Sequence, residues 1–313
     1  MKVSDSTPPL IGVVGPTASG KTDLALALAR AWPVEILAAD SRQVYRGMDI
    51  GTAKPGADER AAVPHHLLDL ADPDEPFTVA DWVERARTLL PVIAGRGRIP
   101  MLVGGTGLYV SALADGHDYT SQPAPLELRQ RLTAALEAEG LDALARRLVT
   151  ADPEAARRTD LRNPRRVVRA LERAEVAGGG ATVVSRPYAG RVALLGISRP
   201  REVLYRRIDE RVERLFAGGL IDEVGRLLDA GYGPELRPMS GHGYGEAARH
   251  LAGEWSREQA IDVMARRTRQ YAKRQLTWFR RDLRIMWLSG DDRPADDLEL
   301  VARADALLRA ALS

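Results

Sequence analysis

The chain contains no cysteine. That excludes disulfides, thiolate nucleophiles and Cys-ligated metals. No apolar run approaches the ~20 residues that a membrane-spanning helix needs. The opening residues 1–9 are polar and lack the apolar segment of a signal peptide, so a cytoplasmic protein is expected. A charge imbalance is also missing: 45 basic against 43 acidic residues leave +2, and bulk charge announces no nucleic-acid partner. Lysine is scarce, with only Lys2, Lys21, Lys54 and Lys273 among the basic residues. The skew reads as coding bias, and it makes each retained lysine worth following. Internal repeats and low-complexity linkers are absent. What is present is an ordinary globular composition, with 313 residues, 45% hydrophobic and 28% charged, long enough for a full core in one or two domains.

One stretch stands out against those absences. Residues 10–22 read LIGVVGPTASGKT, a short apolar run followed by Gly15-Pro16-Thr17-Ala18-Ser19-Gly20-Lys21-Thr22. This is G-x-x-x-x-G-K-[ST], the phosphate-binding P-loop. The glycines let successive backbone N–H groups converge on one oxyanion. Lys21 adds a point charge, and the Thr22 hydroxyl suits Mg²⁺. Residues 22–30 are Ala- and Leu-rich and predict a helix whose N-terminus faces the same anion. A strand before and a helix after are the context that the motif requires. A phosphate or diphosphate is expected to bind here.

Residues 34–39 read as a second buried strand ending at Asp40. In an open α/β sheet that places the carboxylate near the P-loop, at the carboxyl ends of the strands. Residues 40–55 are polar, glycine-punctuated and too long for a turn, which predicts a functional loop. His65-His66 has no third ligand at helical spacing nearby, so packing is expected rather than metal binding. Thr78 and Asp81 have capping-box spacing and open a helix with Trp82, Ala86 and Leu89 on one side. Pro91 should bend or end that helix. Residues 99–103 are a third strand, running into Gly104-Gly105-Thr106-Gly107. This strand ends without the acidic residue that holds Mg²⁺ in an ATPase, which counts against NTP hydrolysis.

From Asp115 to Gly190 the strand-like runs disappear. Leu126–Glu139, 141–150, 153–159 and Pro164–Ala177 read as helices, punctuated by Pro123, Pro125, Pro153, Pro164 and the Gly178–Gly180 run. Residues 191–197 then restore a buried strand. The expected fold is α/β: a P-loop NTPase-like, mostly parallel sheet core of five strands, residues 1–114 and 191–313, with an inserted all-helical domain at 115–190. In that insertion Arg162, Arg165, Arg166 and Arg169 lie close together, with Asp160 and Glu172 nearby. On pattern alone, RNA contact and a solvated helix face stand equal.

Arg201–Ala217 reads as a helix with Leu204, Ile208, Leu215 and Phe216 towards the core, stopped by Gly218-Gly219. Its Arg207, Arg211 and Arg214 share a face. Residues 257–281 form a long helix with Ile261, Met264, Thr268, Tyr271, Gln275 and Trp278 on one largely apolar face. Arg266, Arg269, Lys273 and Arg280 make an adjacent basic stripe. Between positions 257 and 284 nine basic residues stand against three acidic ones. Beside a phosphate site, that concentration favours a polynucleotide backbone over a merely solvated face. Residues 285–288 are a last strand, and 291–313 read as a surface helix and tail.

Beyond the P-loop the sequence becomes specific. GPTASGKT, DSRQVYRGMDIGTAKP, PHHLLD, GGTGLY from Gly104, RNPRRVVRALE from Arg162 and residues 268–280 resemble the tRNA dimethylallyltransferase family, the IPP transferases, over nearly the whole chain. The resemblance implies transfer of a dimethylallyl group from dimethylallyl diphosphate to the exocyclic N6 amine of the tRNA adenine just 3′ of the anticodon, a base flipped out of its stack. It implies Asp40 as general base, Thr106 near the bridging oxygen, and the P-loop, Lys21 above all, holding the diphosphate with Arg211. Arg207 is the alternative clamp. Mg²⁺ at Thr22 is the expected cofactor. Asp40, Ser41, Arg42, Gln43 and Thr106 would meet the tRNA around the adenine. Arg129, Arg165, Arg166, Val167, Val168, Arg169, Arg269 and Lys273 would grip it elsewhere. Gly243-Tyr244 matches the family's Gly-Tyr pair, but Gly245 stands where a basic residue commonly follows. A monomer is expected. Two other readings stay open: a P-loop kinase of a nucleoside or small metabolite, and a non-catalytic anticodon-arm binding protein.

Overall fold

Strands that carry helices on both faces are expected to be apolar throughout rather than alternating, and the first two strands meet that expectation at every position but Glu35. In the computed structural model, which describes residues 7–116, 125–177 and 187–313, β1 (Leu10–Val14) and β2 (Val34–Ala38) are buried along their whole lengths. Between and after them come α1 (Lys21–Leu28), α2 (Ala57–Ala62), β3 (His65–His66), α3 (Val79–Gly95), β4 (Ile99–Gly104) and α4 (Gly107–Ala114). Four helices follow, α5 (Leu126–Glu139), α6 (Leu141–Ala151), α7 (Pro153–Arg158) and α8 (Pro164–Ala177). The chain then returns through β5 (Val192–Ser198), α9 (Arg201–Ala217), α10 (Leu220–Asp229), α11 (Tyr244–Leu251), α12 (Arg257–Phe279), β6 (Ile285–Ser289) and α13 (Leu298–Leu312).

The sheet has six strands in the order β3-β2-β4-β1-β5-β6, and every pairing is parallel. Five strands were expected. The sixth, β3, is only two residues long and pairs His65 and His66 with Ile36 and Leu37, too short to leave a period-2 signal. From β1 the chain moves to the β2 side, whereas after β4 it returns on the β5 side. The carboxyl ends of β1 and β4 therefore flank the crevice where such sheets hold ligands. Below that crevice, Ile11, Val13, Leu24, Leu28, Met101 and Leu195 form part of the main core.

The histidines serve the sheet edge. His66 Nε2 lies 2.7 Å from the buried Glu35 carboxylate, which Arg96 also holds through two bonds of 2.8 and 2.6 Å. The Arg96 hydrogen bond is the main cause that keeps the Glu35 carboxyl below its usual range. At the start of α3, Thr78 accepts from the Asp81 N–H and donates its own N–H to Asp81. Pro91 does not end this helix, which runs on to Gly95 with the proline exposed and Leu90 and Ile93 buried on either side of it. Leu89 is only half-buried; Val83 and Leu90 take the core positions instead. On α9, likewise, Val212 rather than Leu215 faces inward.

The chain divides into two compact units, residues 1–116 with 187–313, and residues 117–186. The larger unit extends slightly past the expected boundaries because Asp115 pairs with Arg284 at 2.6 Å, and because Tyr188 bonds Ala114 through its N–H and Pro8 through its hydroxyl. The smaller unit has its own core of Leu132, Leu144, Leu148, Val167 and Leu171. Pro123 and the Gly178–Gly180 run lie outside the described residues. Among the described residues no helix is long and apolar enough to cross a membrane.

Candidate active site

The P-loop needs backbone conformations that most residues avoid. Gly15 has φ +143° and Gly20 φ +97°, so the two motif glycines are where the turn requires them. Ala18 also lies at positive φ, 61°. Its carbonyl is held by the Arg207 Nε–H at 3.1 Å. The Lys21 ammonium folds back onto the Pro16 carbonyl at 2.7 Å. Burial, and next the positive charge of Arg211, push its pKa down to about 8, while Asp40 and Asp23 act the other way. The pKa of Arg211 is lowered too, chiefly by burial, with Asp40 opposing. Among the described residues Arg211 has no hydrogen bond or ion pair. Two cations confined together at the cost of their own charge make a site in which an anion relieves both.

Arg207 and Arg211, one helical turn apart on α9, thereby take different parts. Both line the cavity, but Arg207 is committed to the Ala18 carbonyl of the loop, and Arg211 stands uncommitted. That cavity, about 390 Å³, is lined by Lys21, Thr22, Asp40, Gly105, Arg211 and Tyr271 among others.

Asp40, which lines the same cavity, stands two residues beyond the end of β2. Its Oδ1 accepts the Arg42 N–H at 2.9 Å, an Asx turn that fixes the carboxylate. Among the described residues no donor is bonded to Oδ2. The Thr106 hydroxyl accepts the Ser41 N–H at 3.0 Å and lies beside the Tyr271 phenol. Burial, and next the Asp40 charge, push the Tyr271 phenol up to about 12, so it is a donor at neutral pH. Sequence periodicity puts Tyr271 and Gln275 among the core positions of α12; the structure points their polar ends into the site. A buried amide on an otherwise apolar face was the available signal. Trp278 departs from that face the other way: it is 37% exposed, and Ala272 and Phe279 are buried instead.

The loop at residues 40–55 is clamped rather than free. Lys54, with a side chain only 1% exposed, bonds Asp49 and Asp69, each at 2.6 Å, and the Tyr45 carbonyl at 2.8 Å. The buried Glu223 of α10 accepts the N–H groups of Asp49, Ile50 and Gly51 and the Tyr244 hydroxyl. Arg42 donates to the carbonyls of Arg237 and Pro238, and Gln43 to those of Thr52 and Ala53. Nothing local in the sequence marked Glu223; its three backbone partners in the 40–55 loop are more than 170 positions away.

The remaining expected tRNA-facing residues divide. Arg165 and Arg166 are exposed. Arg129 and Arg169 converge on Glu172, at 2.9 and 2.6 Å. Burial acts to raise the Glu172 pKa, yet the two guanidiniums outweigh it and hold the carboxyl below its usual range. Val167 is wholly buried in the helical core and Val168 packs partly against it, so the Val167 side chain is not at a surface. Arg269 is held by both oxygens of Asp209 at 2.8 Å, whereas Lys273 is exposed. Among the described residues no three His, Asp or Glu side chains gather as a metal cage.

The family model described as IPP transferase matches residues 43–282, and that described as isopentenyl transferase matches residues 9–69. A tRNA dimethylallyltransferase of Heliobacterium modesticaldum is 46% identical over 285 residues, 89% of each chain, and one of Geobacter metallireducens is 48% identical over 286 residues, 89% of this chain and 92% of its own. Among solved structures, the tRNA isopentenylpyrophosphate transferase of Bacillus halodurans superposes with a TM-score of 0.72 at 40% identity, covering 97% of this chain and 98% of its own. A eukaryotic dimethylallyltransferase captured acting on tRNA gives a TM-score of 0.77 at 27% identity over 96% of this chain and 78% of its own.

Proposed function

The chain belongs to the IPP transferase family, and from that membership we propose that it transfers a dimethylallyl group from dimethylallyl diphosphate to the N6 amine of the adenine immediately 3′ of the anticodon in tRNA. One observation carries the mechanism: a single cavity is lined by two mutually repelling cations, Lys21 and Arg211, and by the Asp40 carboxylate.

The amine nitrogen attacks the allylic carbon bound to the diphosphate. A C–N bond forms, the C–O bond breaks, and diphosphate leaves with the electron pair. Lys21, the P-loop amides and Arg211 stabilise that departing charge. The free oxygen of Asp40 takes the proton that the alkylated nitrogen must lose. Thr106, whose hydroxyl accepts the Ser41 N–H, would offer that hydroxyl near the bridging oxygen. For Mg²⁺ the cavity wall offers the Thr22 hydroxyl and the carboxylates of Asp23, Asp40, Glu59 and Glu210, with no three His, Asp or Glu among the described residues gathered as a cage. That suits an ion that keeps water and takes phosphate oxygens. Thr22 would hold it, and when bound it neutralises diphosphate charge. Each unit offers its own basic residues to tRNA: the exposed basic side of α12 in the larger, and Arg165 and Arg166 in the helical one.

The test is mass spectrometry of tRNA nucleosides after incubation with the protein, Mg²⁺ and dimethylallyl diphosphate. Prenylated adenosine beside the anticodon is expected. Anticodon-arm binding without product would leave a binding protein, and phosphate delivered to a small acceptor would make it a kinase.

A further inference from the structure

Gln275 lies in the middle of α12 with 6% of its surface exposed, and both ends of its amide are engaged. Oε1 accepts the Thr17 N–H of the P-loop at 2.8 Å; Nε2 donates to the Gly105 carbonyl of the loop after β4, also at 2.8 Å. One side chain thus ties the loops at the ends of two neighbouring strands. The fit is tight, since a Cβ on Gly105 would stand 2.1 Å from Nε2, so that glycine leaves room for the amide. One helical turn earlier, Tyr271 stands beside Thr106 of the same β4 loop. Only glutamine supplies an acceptor and a donor at this reach: glutamate lacks the donor, and asparagine is one methylene short.

We propose that Gln275 is a positioning residue for the transfer reaction, fixing the P-loop that holds the leaving group against the Thr106 loop beside which the nucleophile attacks. This rests on the prenyl-transfer reading. In a displacement the leaving oxygen, the carbon and the attacking nitrogen must fall in line, and a displacement of about 1 Å costs on the order of 10²-fold in rate. The leaving oxygen is set by one loop and the nucleophile's side of the cavity by the other. Their mutual register is therefore a catalytic quantity, distinct from affinity for either substrate.

The test compares Gln275→Glu and Gln275→Met, both close to glutamine in length, with the wild type. Single-turnover transfer should fall by about 10²-fold in each, with kcat reduced and KM for tRNA little changed. Inorganic pyrophosphate affinity by calorimetry and anticodon-arm affinity should stay within about threefold of wild type. Thermal melting should not shift by the amount that lost folding would require. A measurement independent of activity accompanies these: exchange of the Thr17 amide should quicken in Gln275→Met. Near-normal kcat in either variant, unchanged Thr17 exchange, or a rate loss that merely follows a loss of folded protein overturns the proposal. If the wild type itself makes no prenylated product, the transfer reading fails, and the exchange result still decides whether Gln275 holds the loop.

Discussion

Asp40 divides chemistry from binding. Its Oδ1 is occupied by the Arg42 N–H, and an asparagine oxygen could keep that bond while losing the basicity. Asp40→Asn should therefore slow single-turnover transfer by ~10²–10⁴-fold, the usual extent of general-base catalysis, and leave tRNA and diphosphate affinities much less altered. Rescue by added Mg²⁺ would instead assign the carboxylate to the metal. Lys21 gives a pH dependence with a definite sign. Its pKa is lowered from the usual lysine value of 10.5 to about 8, so its charge is lost as pH rises through about 8. Pyrophosphate affinity measured by calorimetry between pH 7 and 9.5 should fall over that window. Stability of the unliganded protein should rise with pH between about 8 and 10.5, because the unfolded chain then binds the proton that the folded one has given up. Asp40 and Lys21 could be picked out in the sequence because strand ends and the Gly-rich loop mark them locally. Glu223 and Arg199 could not be. Arg199 is buried with its donors on the Ser19, Gly290, Asp291 and Arg293 carbonyls, and no local pattern encodes partners that far along the chain.

At the scale of elements, α12 shows what periodicity carries and what it omits. Spacing marks the face that packs, but a polar tip reaching out of that face toward another loop looks like any other core position. It also marks the basic stripe without showing that Asp209 on α9 already holds Arg269. The two basic residues should consequently behave differently. Lys273→Gln should lower the slope of log K against log salt for anticodon-arm binding by about 0.7–0.9, one phosphate contact. Asp209→Asn should tighten binding, because it frees the Arg269 charge. Equal slopes in Lys273→Gln and wild type would return this side of the helix to solvent. The short β3 leaves no mark for a simpler reason: two residues on a parallel neighbour, one of them also held by Glu35, need no hydrophobic run of their own.

At the scale of the molecule, the helical unit has a core separate from the sheet's. Replacing residues 117–186 by a short linker should leave pyrophosphate binding nearly intact and abolish anticodon-arm binding. Parallel loss of both would make the unit part of the phosphate-binding core. The composition shift after Asp115 made this insertion readable, although its ends were displaced by the contacts of Asp115 and Tyr188. The strand order has a further consequence, for the order of assembly. Gly12 of β1 is paired with Leu102 on one side and with Leu194 on the other. A chain being synthesised must therefore make the whole helical unit before the central strand gains its second neighbour. Contacts this distant in sequence form late, whereas helices packed against their near neighbours form early. In pulse-labelled hydrogen exchange during refolding, amides of α6 and α8 should gain protection before those of β1. A phosphate-binding loop built directly on β1 would become competent only when β5 closes beside it, so the element at the start of the chain would be among the last to work.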